Sequence, residues 1–321
     1  MLKMENTPNK KESFTRRPVA TYSIVAHDPE TGECGVGVQS HWFSVGSIVP
    51  WAEAGIGAVA TQSFVEPSYG PLGLTLMRTG KSAPEALAAL LAADSNRKTR
   101  QVAMIDAQGR VAVHTGSRCV AAAGHAIGKN FSVQANMMSN ERVWPAMKET
   151  FETVEGDLAD RLLTALEAAE AAGGDARGKQ SAALLIVHGT STGKAWIDRR
   201  FDLRIEDHPD PLVELRRLLQ IARAYEHAER GDDFVTEGKV QEAGKEYAAA
   251  TKFAPEIVEL PFWHAISLAG TGDLEKAKPI FAEVFKKEPR WREFVVRLPN
   301  AGLLPDDPKL VKTITSIGRK K

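Results

Sequence analysis

The alternation of short apolar runs and turn clusters between residues 19 and 64 restricts this chain more than any other feature of its sequence. "ATYSIVAHD" and "CGVGVQS" are each long enough for one strand and too short for a buried helix. "PETGE" lies between them and supplies the Pro and Gly of a tight reversal, so the pair reads as an antiparallel hairpin. "GIGAVATQSFV" is a third strand whose small residues suit close approach to another layer. "RQVAMIDAQGRVAVHTG" is a second hairpin that turns at "DAQG"; "FSVQANMMS", "SAALLIVHG" and "AWIDRRFDLRIED" read as further strands. "SAPEALAALLAAD" predicts a helix with Ser82 as N-cap, Pro84 in the first turn and Glu85 closing a capping box. "NERVWPAMKETFETVEGDLADRLLTALEAAEAAGG" carries helical periodicity broken near Gly156 and stops on Gly-Gly. Strands paired as hairpins, with helices between the groups, predict an α+β fold and not a doubly wound parallel sheet. Two antiparallel sheets packed together, with helices outside, account for the small-residue strands.

A boundary falls at "HPDPLVELRRLL", after which the chain reads as all helix. Three parts are expected: a disordered extension over 1–18, an α+β domain over 19–210 and a helical domain over 211–321. The helical part contains a repeat. Gly238, Ala243, Tyr247 and Pro255 recur as Gly272, Ala277, Phe281 and Pro289, each pair 34 residues apart. That period, with those residue types in that order, has the tetratricopeptide spacing.

Composition removes several classes of function. Lys plus Arg and Asp plus Glu both number 41, so the formal charge is zero and the basic excess of a nucleic-acid binder is missing. Cys34 and Cys119 are too few for a disulfide framework and read as small buried hydrophobes. No apolar run reaches 18 residues, and the polar N-terminus lacks the apolar centre of a secretory signal. No membrane or nucleic-acid partner is therefore expected, and the cytoplasm is the expected compartment. His and Cys show no metal-ligand spacing, and no phosphate-cradling Gly motif occurs, so neither a metal nor an organic cofactor is expected.

Several segments together carry a family resemblance. "TYSIVAHDPETGECGVGVQS", "VPWAEAGIGAVATQS", "SYGPLGL", "AVHTG", "AGHAIGKNFSVQANMM", "AAGGDARGKQSAALLIV" and "DLRIEDHPDPLVELRRLL" occur in order from Ala20 to Leu219. In these the chain resembles the DUF1028 family, which is assigned to the N-terminal nucleophile (Ntn) hydrolase-like superfamily. The resemblance implies a four-layer αββα sandwich followed here by a small all-α tetratricopeptide-like domain. By superfamily analogy it also implies hydrolysis of an amide, ureide or peptide-like small molecule, although fold alone does not fix chemistry. Its nucleophile would be Thr21, whose own α-amine would serve as base. An amine with a pKa near 8 suits that role at neutral pH. In this chain Thr21 follows twenty residues, so its nitrogen is a peptide amide. Either the Ala20–Thr21 bond is cut, or translation starts further on, or the site is inactive or uses another base.

The remaining candidates are polar residues in apolar surroundings. Gln134 and Asn136, two apart on one strand, share a face and could donate to an oxyanion. Asp175 and Arg177 lie in "GGDARGKQS" just before a buried strand, where Arg177 could clamp a substrate carboxylate. Ser40 and His41 follow the second strand, Gln62 and Ser63 end the third, and Tyr69 sits in a Gly/Pro segment that could line a pocket. A competing expectation is a non-catalytic scaffold whose helical repeat binds a protein or peptide partner. A homo-oligomer is expected under either reading.

Overall fold

The computed structural model describes Val19 and residues 21–319; the extension expected over 1–18 lies outside the described residues. Contacts divide the chain into two compact units, Met1–Arg216 and Arg217–Lys321.

Among its described residues the first unit contains ten strands in two antiparallel sheets. The six-stranded sheet comprises β1 (Thr21–His27), β2 (Cys34–Ser40), β7 (Gly124–Gly128), β8 (Phe131–Asn136), β9 (Ser181–Val187) and β10 (Arg199–Ile205). Its spatial order is β10-β9-β2-β1-β8-β7. The four-stranded sheet comprises β3 (Pro50–Glu53), β4 (Gly57–Ser63), β5 (Arg100–Asp106) and β6 (Val111–Thr115), in the order β3-β4-β5-β6. The sheets pack face to face through β1, β2, β4 and β5. Helices α3 (Val143–Thr153) and α4 (Leu158–Ala171) cover the outer face of the larger sheet; α1 (Tyr69–Arg78) and α2 (Ala83–Ala93) cover that of the smaller.

The chemistry of the strands explains the stacking. Along β1 the side chains alternate between faces. Ser23 reaches Gln62 of the smaller sheet, whereas the Tyr22 hydroxyl donates to Glu170 Oε2 on α4 at 2.7 Å. Both faces of β1 are covered, so all seven of its residues are buried. The inner layer is built from small apolar residues, including Val25, Val36, Val38, Ala58, Ala60 and Ala103. On the outer side of the smaller sheet, Gly70 and Gly73 let α1 approach closely. A Cβ at Gly70 would lie 2.2 Å from the Trp51 ring, and one at Gly73 would lie 2.8 Å from Met104 Cε.

Sequence reasoning treats "EPSYGPLG" as a loop, and the structure corrects this: Tyr69, Gly70 and Pro71 begin α1. It also passes over two strands, the four-residue β3 and the half-exposed β7. The Ser82 capping box forms as expected: Ser82 Oγ accepts from the Glu85 N–H at 3.3 Å, and Glu85 Oε2 accepts from the Ser82 N–H at 2.8 Å.

Helix α5 (Pro211–Thr236) starts where the boundary was expected, yet the units divide inside it. Its first residues belong to the first unit. Leu212 and Leu215 are buried, and Arg216 forks onto Glu167 of α4 at 2.6 and 2.8 Å. The second unit continues with α6 (Val240–Phe253), α7 (Glu259–Gly270), α8 (Leu274–Lys287), α9 (Arg290–Val295) and α10 (Pro308–Ser316). The repeated residues take equivalent places. Gly238 and Gly272, at φ 76° and 94°, each precede a 14-residue helix, α6 and α8 respectively. Ala243 and Ala277, then Tyr247 and Phe281, occupy matching buried positions on them. No helix among the described residues is long and apolar enough to cross a membrane.

Candidate functional site

Strand register gathers the candidates at one end of β1. Thr21 pairs with Ser40 on one side and Asn136 on the other, and Ser40 pairs in turn with Ser181. Thr21, Ser40 and Asn136 are completely buried. The Thr21 hydroxyl donates to the Val19 carbonyl at 3.0 Å and lies 3.3 Å from Ser40 Oγ. Asn136 Nδ2 donates to Gln101 Oε1 at 3.0 Å and reaches the Thr21 carbonyl at 3.5 Å, while its Oδ1 is buried with no hydrogen-bond partner among the described residues.

Beneath Thr21 a polar chain runs between the sheets. Ser132 Oγ donates to Gln134 Oε1 at 3.0 Å, Gln134 Nε2 to Ser23 Oγ at 2.6 Å, and Ser23 Oγ to Gln62 Oε1 at 2.6 Å. Gln62 Nε2 then donates to Gln101 Oε1 at 2.7 Å and to the Thr21 carbonyl at 3.2 Å. Each of these side chains is fully buried. Polar groups in such a place stay folded only when partnered, and linked bonds polarise one another. Gln134 therefore sits two pairs along from Thr21, opposite Ser23, with its amide committed to the network. Of the two expected oxyanion donors, only Asn136 lies beside the threonine. Gln101, which sequence reasoning missed, is the hub: it accepts from Gln62 and Asn136 and donates to Thr115 Oγ1 at 2.9 Å and the Ala135 carbonyl at 2.9 Å.

Asp175 and Arg177 join the same end of the sheet through His41. The Asp175 side chain is buried and accepts from the His41 N–H at 3.0 Å and the Arg177 N–H at 2.9 Å. It also receives Arg177 Nε at 3.1 Å and Nη2 at 2.9 Å. A bidentate pair of this kind fixes the guanidinium plane. His41 Nδ1 lies 3.4 Å from the Lys179 carbonyl, so the segment after β2 and the loop before β9 are tied together.

Ser63 ends β4 in the left-handed region at φ 69°, a conformation uncommon for a residue with a Cβ. It forms a bridge with Val19. Tyr69 is not part of this assembly. It packs in the apolar layer between α1, α2 and the smaller sheet, and its hydroxyl donates to Asp94 Oδ2 at 3.1 Å. Burial first, then Asp94, pushes its phenol well above the usual range. Cys34 is buried, and its thiol is pushed up to about 12, chiefly by burial. Among the described residues no group of three or more His, Cys, Asp or Glu is placed to hold a metal ion.

A family model described as "Family of unknown function (DUF1028)" matches residues 21–215, opening on Thr21 and ending within α5. The chain belongs to the DUF1028 family. Among solved structures, DUF1028 protein SPO2555 from Silicibacter pomeroyi is 33% identical, with a TM-score of 0.56. The similarity covers 63% of this chain and 85% of that one. No curated protein matches. The DUF1028 match takes in both sheets, their four covering helices and every residue of the Thr21 assembly except Val19.

Proposed function

We propose that this protein hydrolyses amides with Thr21 as nucleophile, once the Ala20–Thr21 bond has been cut. The observation that carries the reading is the placement of Thr21. It opens a central strand, its hydroxyl is held between the Val19 carbonyl and Ser40 Oγ, and its neighbour Asn136 keeps a buried, unpartnered Oδ1. Layering supports it: a helix pair, a six-stranded sheet, a four-stranded sheet and a helix pair follow the αββα order expected of an Ntn-like sandwich.

In the uncut chain the Thr21 nitrogen is an amide and cannot take a proton. Water added across Ala20–Thr21 leaves a carboxylate on Ala20 and an α-amine on Thr21. That amine, with a pKa near 8, takes the hydroxyl proton as Oγ1 attacks a substrate carbonyl. Collapse of the tetrahedral intermediate breaks the C–N bond, the proton passes to the leaving nitrogen, and an ester remains on Thr21. Water, deprotonated by the same amine, releases the acid. Asn136 Oδ1 is the acceptor that orients the amine, and Asn136 Nδ2 a donor within the same pair. The paired Asp175 and Arg177 border the site as recognition groups for a small amide, ureide or peptide-like substrate.

Intact mass and turnover test this together. We expect a species beginning at Thr21, active on a panel of amides, with Thr21→Ala inactive and Thr21→Ser retaining part of the rate. Full turnover by Thr21→Ala, or by a preparation wholly uncut, refutes the assignment. A second reading draws on the helical unit, whose tetratricopeptide-like repeat borders a cavity of about 540 Å³ between Gln241, His264, Asp273 and Lys276. In that reading the repeat receives a peptide.

A further inference from the structure

The residue ahead of the first strand is as firmly held as the strand. Val19 is fully buried and belongs to the apolar cluster between the sheets that includes Val38, Val49 and Ala60. Its N–H donates to the Ser63 carbonyl at 2.6 Å, and its carbonyl accepts from the Ser63 N–H at 3.1 Å. The same carbonyl takes the Thr21 hydroxyl at 3.0 Å. Among the described residues every named strand and helix begins at or after Thr21, and Val19 is paired only through its bridge to Ser63, outside those elements.

We infer that the slot Val19 fills is the acyl-side subsite of the enzyme, filled by the chain's own segment until Ala20–Thr21 is cut. Its substrate class is peptide-like: an acylated amino-acid residue of about valine size, one small residue ahead of the scissile amide. The inference rests on the Thr21 reading and deepens it. Val19 stands one residue before the bond whose cleavage frees Thr21. An acyl group in the same place presents the same three features: an N–H for the Ser63 carbonyl, a carbonyl for the Ser63 N–H, and a branched apolar side chain. An empty slot leaves a buried backbone donor and acceptor unpaired and an apolar void beside them. Water repairs only the first of these. A simple ureide lacks the side chain and repairs little more. While Val19 is in place it excludes any such substrate and ties up the Thr21 hydroxyl, so the uncut chain blocks itself.

The test separates binding from catalysis. The peptide acetyl-Arg-Arg-Pro-Val-Ala, which copies Arg16–Ala20, is titrated by calorimetry into the full chain and into a chain produced to begin at Thr21. Circular dichroism confirms that the shortened chain is folded. A second peptide replaces the valine N–H by an ester oxygen, and a third replaces valine by aspartate. We expect binding to the shortened chain alone, weakened about tenfold by the ester, the worth of one buried hydrogen bond, and abolished by aspartate. Equal binding of ester and parent, binding to the full chain, or no binding to the folded shortened chain overturns the subsite. Amide turnover is followed in the same samples. Binding without turnover removes the hydrolase reading and keeps the slot; turnover without binding does the reverse.

Discussion

Replacing Gln101 by leucine tests whether the polar seam under Thr21 is part of what holds the sheets in register. Leucine matches the volume of glutamine roughly and cannot hydrogen-bond. In the native seam Gln101 Oε1 accepts from Gln62 and Asn136, and Nε2 serves Thr115 Oγ1 and the Gly124 and Ala135 carbonyls at 2.9, 3.1 and 2.9 Å. The losses are unequal. Gln62 Nε2 keeps the Thr21 and Gln134 carbonyls at 3.2 and 3.4 Å. Asn136 Nδ2 is left with only the 3.5 Å approach to the Thr21 carbonyl. One orphaned buried donor costs ~1–3 kcal/mol, and weakened neighbours add to it, against a small apolar gain from leucine. The net is a destabilisation of about 2–3 kcal/mol. For an N-terminal unit ending at Arg216, each kcal/mol lowers the melting point by roughly 2–4 °C, so a fall of about 4–12 °C is expected in calorimetry. The helical unit should melt unchanged. A Gln101→Leu unit that melts within about 1 °C of the parent would show that the seam contributes nothing. Gln101→Glu sharpens the test, because the site is fully buried. Burial favours the neutral acid, so its folded pKa exceeds the unfolded value of about 4.3, and the variant should lose stability as pH rises above that value.

Three further outcomes are expected. Asp94→Asn should be less stable than the parent at pH 7, with the gap closing on acidification. Burial pushes the Asp94 carboxyl up, but bonds from Arg100, the Asn96 N–H and Tyr69 outweigh it and hold the group below its usual range. Its contribution is therefore full above about pH 3.9 and fades as pH falls through the folded value; melting at pH 7 and pH 3 checks this. Ser82→Ala should cost ~1 kcal/mol through loss of the α2 capping box, read as a melting-point fall of roughly 2–4 °C. Gly70→Ala should destabilise by at least ~1–3 kcal/mol and alter tryptophan fluorescence, because the new methyl meets Trp51.

Local chemistry made much of the architecture legible. The turns at "PETGE" and "DAQG" and the Ser82 cap all act over a few neighbouring residues, and each occurs where the sequence predicts it. Features decided by distant contacts were not legible. Gly70, Pro71 and Gly73 have the composition of a loop, yet they form a helix because packing on Trp51 and Met104 rewards the absence of side chains. β3 has four residues and begins on proline, too little pattern to separate from a turn. Gln101 lies in a run otherwise typical of a strand, and only the facing sheet explains its polarity. Tyr69 resembled a pocket wall in sequence, but its hydroxyl is committed to Asp94 on the far side of the smaller sheet.

The Thr21 assembly combines both kinds of information. A threonine that opens a strand is common, and nothing local separates a nucleophile from a β-former. Register makes the difference, because it sets Ser40 and Asn136 on either side of Thr21 and buries all three. Three buried polar side chains at a strand end cost stability unless every donor and acceptor is met. Here Asn136 Oδ1 is not met among the described residues, and Ser63 holds a left-handed backbone to bridge Val19. A sheet selected for stability alone would gain by placing valine or alanine at these positions, as it does at Val25 and Ala60. The unmet Asn136 Oδ1 and the left-handed Ser63 both stand next to the residue that would carry the chemistry, and a folded chain accepts such costs where it sets stability aside for reactivity.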